Sequence, residues 1–526
     1  MAATPGWTLS DEERAYSRRQ LADSLSSIRF HLQRADTLCR GGTAMTAEEE
    51  LAAIWASATD VEARAHADAG VMARTTSGNI PHEQAVQFYA SKCSQWLLEM
   101  VADPDIIVRS AGAGNAVVAD GLFDLSEGNR RGFLTGEKAK EAFAPMLRED
   151  AGIVKAVFSS KSFGVDAASV ARDALATCAD TLTELDASDV IAGRDEAEAL
   201  AALRVLCEGV ARTKIARLDL SDNAMGEKGL RACADALRLP SLRHLSLHNV
   251  GASPDAVRAL DELLGDNAAN LTGLRLKNNM SDDEGALSIA RIVSRAQGLE
   301  EFKMASSRVK EAGCVALCKA LSGCASLKSL DLSDNPFCDE ASPAVSECIR
   351  GKTGMRVFAL NDMNLGDDGA AAVVKALSAS ADTLEVLELG GNELTKRTAK
   401  LLTAAIFANA AHLKTLVLAD NELKDAGAIA IAGLLPKSLE VLDMTTCEIG
   451  KDGAVAIAQA AKELPRLVCV KLDGNFIADD GVDQIRELLG DTLGSLEDND
   501  PDGYFDDDEE DDDVDELSEV LSKQKI

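Results

Sequence analysis

The 526-residue sequence predicts an α/β solenoid, assembled from about a dozen copies of one short strand–turn–helix unit. Three observations predict it. An apolar pattern recurs at a near-constant interval, large aromatic residues are scarce, and no stretch suits a single large core or a membrane span.

The pattern reads apolar-x-x-apolar-x-apolar-x-x-Asn/Cys-x-apolar. It begins at Ile153, Leu182, Ile215, Leu242, Leu271, Leu299, Leu327, Met355, Leu384, Leu413, Leu439 and Leu467. Successive starts lie 26 to 33 residues apart and mostly 28 or 29. The first two copies depart most, with Ala156 and Ala187 in place of leucines. The apolar-x-apolar centre, as in Leu218-Asp219-Leu220, alternates with period 2 and predicts a short strand, leucines inward and intervening residues on a solvent-facing inner surface. Asn follows in six of the last ten copies (Asn223, Asn279, Asn335, Asn392, Asn421 and Asn475), where a buried amide can bond neighbouring backbone along the stack. Cys447 takes that place once. A turn such as Gly226-Glu227-Lys228-Gly229 then leads into a helix with Ala and Leu at i, i+3 and i+4. A unit of about 28 residues with a full helix predicts a ribonuclease-inhibitor-like leucine-rich-repeat horseshoe, strands inside and helices outside.

Composition agrees. Apolar residues make up 46% but aromatics only 4%, as thin Leu/Ala layers require. The 12 cysteines contain no C-x-x-C pair. Cys207, Cys233 and Cys318 fall at apolar helical positions and read as small core residues in a reducing compartment. The net charge is −33, of which residues 497–526 supply −13 from 15 acids and 2 lysines. The remaining −20 makes the folded part acidic in its own right. Such a surface repels nucleic acid and anionic lipid and favours a basic protein partner.

The flanks differ from the repeats. Residues 1–105 carry no repeat and predict a small all-α module, with helices around 11–39, 46–69 and 81–101. Residues 106–150 read as a linker and N-terminal cap, and 151–495 as the repeat domain, closed by a helix over Val482–Leu489. Residues 496–526 read as a disordered acidic tail. Within it Asp498-x-Asp500-x-Asp502-Gly503 with Glu509 fits a calcium-loop pattern, although so acidic a segment meets that pattern cheaply and Pro501 interrupts it.

No phosphate-binding glycine loop, nucleophile elbow, H-E-x-x-H or Cys/His cluster occurs, and the six histidines are dispersed. Only His244 and His248 share a predicted strand face. The residues by themselves therefore describe a binding module that needs no cofactor.

Several segments resemble one family, the Ran GTPase-activating proteins. They are Phe158-Ser159-Ser160-Lys161-Ser162-Phe163-Gly164, Ser188-Asp189-Val190-Ile191-Ala192-Gly193-Arg194, Leu218 through Gly226, Leu247-His248-Asn249 and Leu274-x-Leu276-Lys277-Asn278-Asn279. Phe88-Tyr89-Ala90-Ser91-Lys92-Cys93-Ser94-Gln95-Trp96-Leu97-Leu98-Glu99 resembles the nuclear-envelope targeting domain of the plant branch, named for its Trp-Pro-Pro motif. Here Trp7 is followed by Thr8-Leu9, so that motif is missing.

The resemblance implies a protein that binds GTP-loaded Ran and stimulates hydrolysis by fixing Ran's own glutamine, without inserting an arginine finger. It implies that Arg194 and Asn249 make the activating contacts, with Asp222, Asn223, His248 and Lys277 among the partner-binding residues. It also implies a cytoplasmic protein that associates with the nuclear envelope through envelope proteins and a Ran-binding protein. A stoichiometric leucine-rich-repeat inhibitor and an envelope scaffold are the competing expectations.

Overall fold

The structure, a computed structural model, describes residues 117–119, 121–126, 132–148, 151–337 and 341–501. The all-α module expected over 1–105 lies outside the described residues. The chain divides into two compact units. The first runs to Gly251 and includes Glu262–Asn270, and the second holds Ala252–Asp261 and everything from Leu271.

The first unit contains β1 (Val117–Ala119), β2 (Leu122–Asp124), β3 (Gly132–Leu134), α1 (Gly136–Ala142), β4 (Lys155–Val157), β5 (Lys161–Phe163), α2 (Val165–Thr177), β6 (Glu184–Asp186), α3 (Glu196–Val210), β7 (Arg217–Asp219), α4 (Gly226–Ala232), α5 (Ala234–Leu237) and β8 (His244–His248). Helix α6 (Pro254–Leu264) carries the boundary between the units. The second unit continues with β9 (Gly273–Lys277), α7 (Asp282–Arg295), β10 (Glu301–Ala305), α8 (Glu311–Leu321), β11 (Ser329–Asp331), α9 (Ser342–Ile349), β12 (Val357–Ala359), α10 (Gly366–Leu377), β13 (Val386–Glu388), α11 (Lys396–Ala405), β14 (Thr415–Val417), α12 (Lys424–Ala432), β15 (Val441–Asp443), α13 (Lys451–Lys462), β16 (Cys469–Lys471) and α14 (Asp479–Leu489).

Each of the twelve pattern starts sits two residues ahead of a strand, from Ile153 before β4 to Leu467 before β16. The strands of the second unit pair in parallel in sequence order, and the apolar residues stack in register: Leu274, Phe302, Leu330, Phe358, Leu387, Leu416, Leu442 and Val470. All of these are fully buried. Each such side chain contributes about 1.5–3 kcal/mol by leaving water, and only neighbouring layers can bury it.

In the first unit the same column runs Phe123, Ala156, Leu185, Leu218, Leu245. The small Ala156 is matched by large neighbours. Phe123, Phe143, Phe158 and Phe163 are all buried, with ring centroids 5.0–6.2 Å apart. Four aromatics cluster here, whereas Phe302 and Phe358 stand singly in the column of the second unit. The expected cap over 106–150 contains a repeat-like piece: β1 and β2 form an antiparallel pair, β2 joins β4 in parallel, and β3 pairs with β5 in a separate two-stranded sheet.

One backbone feature recurs in every repeat. The eighth position has positive φ at Ser160, Asp189, Asp222, Asn249, Asn278, Ser306, Asp334, Asp362, Gly391, Asp420, Thr446 and Gly474. A left-handed residue turns the chain out of the strand, and glycine or a short polar side chain adopts that conformation at least cost.

The ladder asparagines follow. Asn421 Nδ2 donates to the Leu389 and Leu418 carbonyls at 3.0 and 2.8 Å, and its Oδ1 accepts from Asn392 and Leu394. Asn335, Asn392 and Asn475 do the same, and the Cys447 thiol replaces the donor toward the Leu418 carbonyl at 3.0 Å. Helix starts are tied across repeats as well. Asp283, Asp367 and Asp425 accept backbone N–H groups from the following repeat's helix entrance. A side chain at Gly453 would put its Cβ 2.5 Å from Asp425 Oδ1, which is why glycine stands there.

The segment assigned to the tail needs correction at its start. Residues 498–500 are bound to the last repeat. The Asp498 N–H donates to Asp473 at 2.8 Å and the Asp500 N–H to the Asn475 carbonyl at 2.8 Å, while the Asn499 amide donates to the Ile477 carbonyl and accepts from its N–H. Asn499 thus continues the ladder past the last repeat. The first half of the calcium-like pattern serves as a C-terminal cap, and the rest lies outside the described residues.

Candidate functional site

Arg194 sits in the turn from β6 to α3, one residue before the helix cap. Asp189 and Gly193 both take left-handed conformations, with φ of 50° and 76°. The Val190 N–H donates to Asn223 Oδ1 at 2.9 Å and its carbonyl accepts from Phe163, so the turn is held between two neighbouring repeats. Asp195 caps α3 by accepting from the Glu198 N–H at 3.0 Å. Asp-x-x-Glu is the spacing of a capping box, yet the Glu198 carboxylate turns to Arg194 instead of the cap backbone.

The guanidinium is committed on all sides. Nε donates to Ser162 Oγ at 3.0 Å, Nη1 to Glu198 at 3.0 Å, and Nη2 to the Ser162 carbonyl at 2.8 Å and the Leu134 carbonyl at 3.5 Å. The Phe133 ring covers it at 4.7 Å from the centroid. Only 13% of the Arg194 side chain is exposed. Nearby, the Gly136 N–H, working against desolvation and helped by the Arg194 charge, holds the Asp166 carboxyl below its ordinary range. This arginine ties β3, β5 and α3 together, and it reaches another molecule only by giving up those bonds.

Asn249 occupies the left-handed position at the exit of β8, with φ of 50°. Its side chain is exposed, and Nδ2 lies 3.1 Å from Asp222 Oδ1, on the equivalent turn of the preceding repeat. The Asp222 N–H donates to the His248 carbonyl at 2.8 Å, and the His248 N–H donates to Ser221 Oγ at 3.0 Å. Ser221, Asp222, His248 and Asn249 therefore form one cross-repeat cluster. His248 is half-buried on the solvent-facing side of β8, alternating with buried Leu245 and Leu247. Arg194 and Asn249 belong to the second and fourth repeats, on the same strand-exit edge. At ~4.8 Å per strand, their exits stand roughly 10 Å apart.

Two expected contact residues fall elsewhere. Asn223 is 1% exposed, and its amide is spent on the Ala187 and Leu220 carbonyls and the Val190 N–H. It is a ladder residue and presents nothing to a partner, which corrects its assignment. Lys277 lies in the second unit, exposed at the end of β9. Reading the sequence missed Phe133, Ser162 and Glu198. Glu198 is signalled by the capping spacing, whereas Phe133 lies ahead of the first repeat, where no period marks it.

Among the described residues no helix is long and apolar enough to cross a membrane, and no three His, Cys, Asp or Glu side chains gather as a metal site would need. Comparison with known families matches the Leucine Rich repeat description at residues 323–341, 409–432 and 436–458. RAN GTPase-activating protein 2 of Arabidopsis thaliana is 39% identical over 432 residues, covering 80% of this chain and 78% of that protein. RAN GTPase-activating protein 1 of the same plant is 37% identical over 158 residues, 29% of this chain and 28% of that protein. The ribonuclease inhibitor of Sus scrofa is 28% identical over 326 residues, 60% of this chain and 68% of that protein. Identity at that level across most of both chains, on the fold the repeats build, makes this chain a member of the Ran GTPase-activating protein family.

Proposed function

We propose that the chain is a GTPase activator that stimulates GTP hydrolysis on Ran through the strand-exit edge of its first four repeats. The observation that carries the reading is the contrast between Arg194 and Asn249 on that edge. Arg194 is mostly buried with its donors bound within the first unit, whereas Asn249 is solvent-exposed, its amide bonded to Asp222 on the neighbouring turn.

The chemistry belongs to the partner. A GTPase already holds the nucleotide, its magnesium ion and the glutamine that orients the attacking water. What an activator adds is order and a preorganised polar contact. The Asn249 carboxamide suits a glutamine side chain because it donates and accepts at once. Arg194 acts by fixing the turn around it and does not itself enter the partner's active site. The acidic surface supplies long-range attraction to a basic face of the GTPase. Residues 1–105 are read as the module that brings a cytoplasmic protein to nuclear-envelope partners.

Phosphate release from GTP-loaded Ran with catalytic amounts of the chain tests the reading. Many turnovers per molecule are expected, with activity kept and location changed when residues 1–105 are deleted. A protein that only blocks Ran stoichiometrically, without accelerating hydrolysis, would contradict it.

A further inference from the structure

Phe133 stands out among the described aromatics. It is 58% exposed, while Phe123, Phe143, Phe158 and Phe163 around it are buried. It lies on β3, ahead of the first repeat, in the small sheet that β3 forms with β5. A core role does not account for it. Its one described ring partner is the Arg194 guanidinium, 4.7 Å from the centroid.

The local design converges on that contact. Leu134, next to Phe133 on β3, offers its carbonyl to Arg194 Nη2, and Ser162 on the paired β5 offers both its hydroxyl and its carbonyl. Gly193 leaves the ring its space. A Cβ there would meet Phe133 Cζ at 3.1 Å, and the backbone is left-handed with φ of 76°. The Gly-Arg pair in the turn is therefore shaped by a ring 60 residues earlier. The hydrogen bonds fix the guanidinium in its plane, and the ring fixes it perpendicular to that plane.

We propose that Phe133 is a positioning residue for GTPase activation, holding Arg194 in place by stacking on its guanidinium. This rests on the functional reading above and deepens it. The segment before the repeats then becomes part of the active edge as well as a cap.

The test uses the full chain with GTP-loaded Ran under single-turnover conditions. Phe133→Leu keeps the apolar bulk and removes the π face. It is expected to lower the maximal stimulated rate about threefold to tenfold, with little change in the concentration giving half-maximal rate. Phe133→Tyr keeps the face and should restore the wild-type rate. In an Arg194→Ala background Phe133→Leu should have no further effect on rate.

A stability cycle by chemical denaturation, without Ran, reads the Phe133–Arg194 coupling independently. Coupling in both stability and rate supports the proposal. Coupling in stability alone, or a Phe133→Leu variant as active as wild type, overturns it. A wild-type chain that fails to stimulate hydrolysis would overturn the functional reading itself and this extension with it, even if the stability coupling remained.

Discussion

The first and second units are made from the same repeat and use it differently. In the second, five of the eight ladder positions keep asparagine, and Ser307, Met363 and Cys447 take the others. The ladder position is Asn in Asn279, Asn335, Asn392, Asn421 and Asn475, and the inner strand faces balance their own charge. Arg275 pairs with Glu301 at 2.6 Å, Lys303 with Asp331 at 2.7 Å, and Lys471 with Asp443 at 3.1 Å. Asp331 illustrates the balance: burial acts to raise its pKa, but Lys303 and the Ser333 N–H outweigh it and hold it low. In the first unit the regular parts give way. Lys161, Val190 and Val250 stand at ladder positions, four phenylalanines cluster in one core, and an extra strand reaches the turn that holds Arg194. Where a repeat protein keeps its repeat it is being a scaffold; where it departs, a particular side chain is being placed.

That contrast is open to direct attack. The largest expected effect is structural. Asn421→Ala leaves buried carbonyls and N–H groups without their partner and should cost about 3 kcal/mol in chemical denaturation, with unchanged activity per folded molecule. Arg194→Ala should lower the stimulated rate per folded molecule about 100-fold, beside a stability loss of about 2 kcal/mol from the broken bonds to Ser162, Leu134 and Glu198. Asn249→Ala should cost about tenfold in rate, the worth of one good hydrogen bond to the partner, and about 1 kcal/mol in stability, because alanine adopts the left-handed backbone less readily. Equal losses of rate in Asn421→Ala and Asn249→Ala would erase the distinction between the units.

The smallest effect concerns the left-handed edge of the second unit. Burial, then the neighbouring charges of Asp334 and Asp420, raise the pKa of Asp362. A carboxyl with a raised folded pKa penalises the native state once it ionises, so its cost is absent at acid pH and complete at neutral pH. Asp362→Asn should therefore raise the melting temperature slightly at pH 7 and leave it unchanged below the ordinary carboxylate range.

Much of this was readable in the sequence, for physical reasons. A 28-residue period fixes the twelve repeat strands, because each layer must present the same apolar residues to its neighbour. The ladder asparagines were equally visible. The edge was harder. Asp222 and Asn223 are adjacent and both polar, yet one is exposed and the other 1% exposed. Their difference comes from a backbone turn that reverses direction between them. Of the surroundings of Arg194, the capping spacing signals Glu198 and nothing signals the rest. Its partners Leu134 and Ser162 lie 60 and 32 residues away, in elements where no period predicts a meeting. The tail's acidity hid Asn499, whose ladder role depends on position and owes nothing to composition.

The most direct measurement of the central claim is the single-turnover rate of GTP hydrolysis on Ran, with wild type, Arg194→Ala and Asn421→Ala measured side by side at equal folded concentration. The account predicts wild-type stimulation for Asn421→Ala and near-complete loss for Arg194→Ala. Stimulation by Arg194→Ala equal to wild type would contradict it.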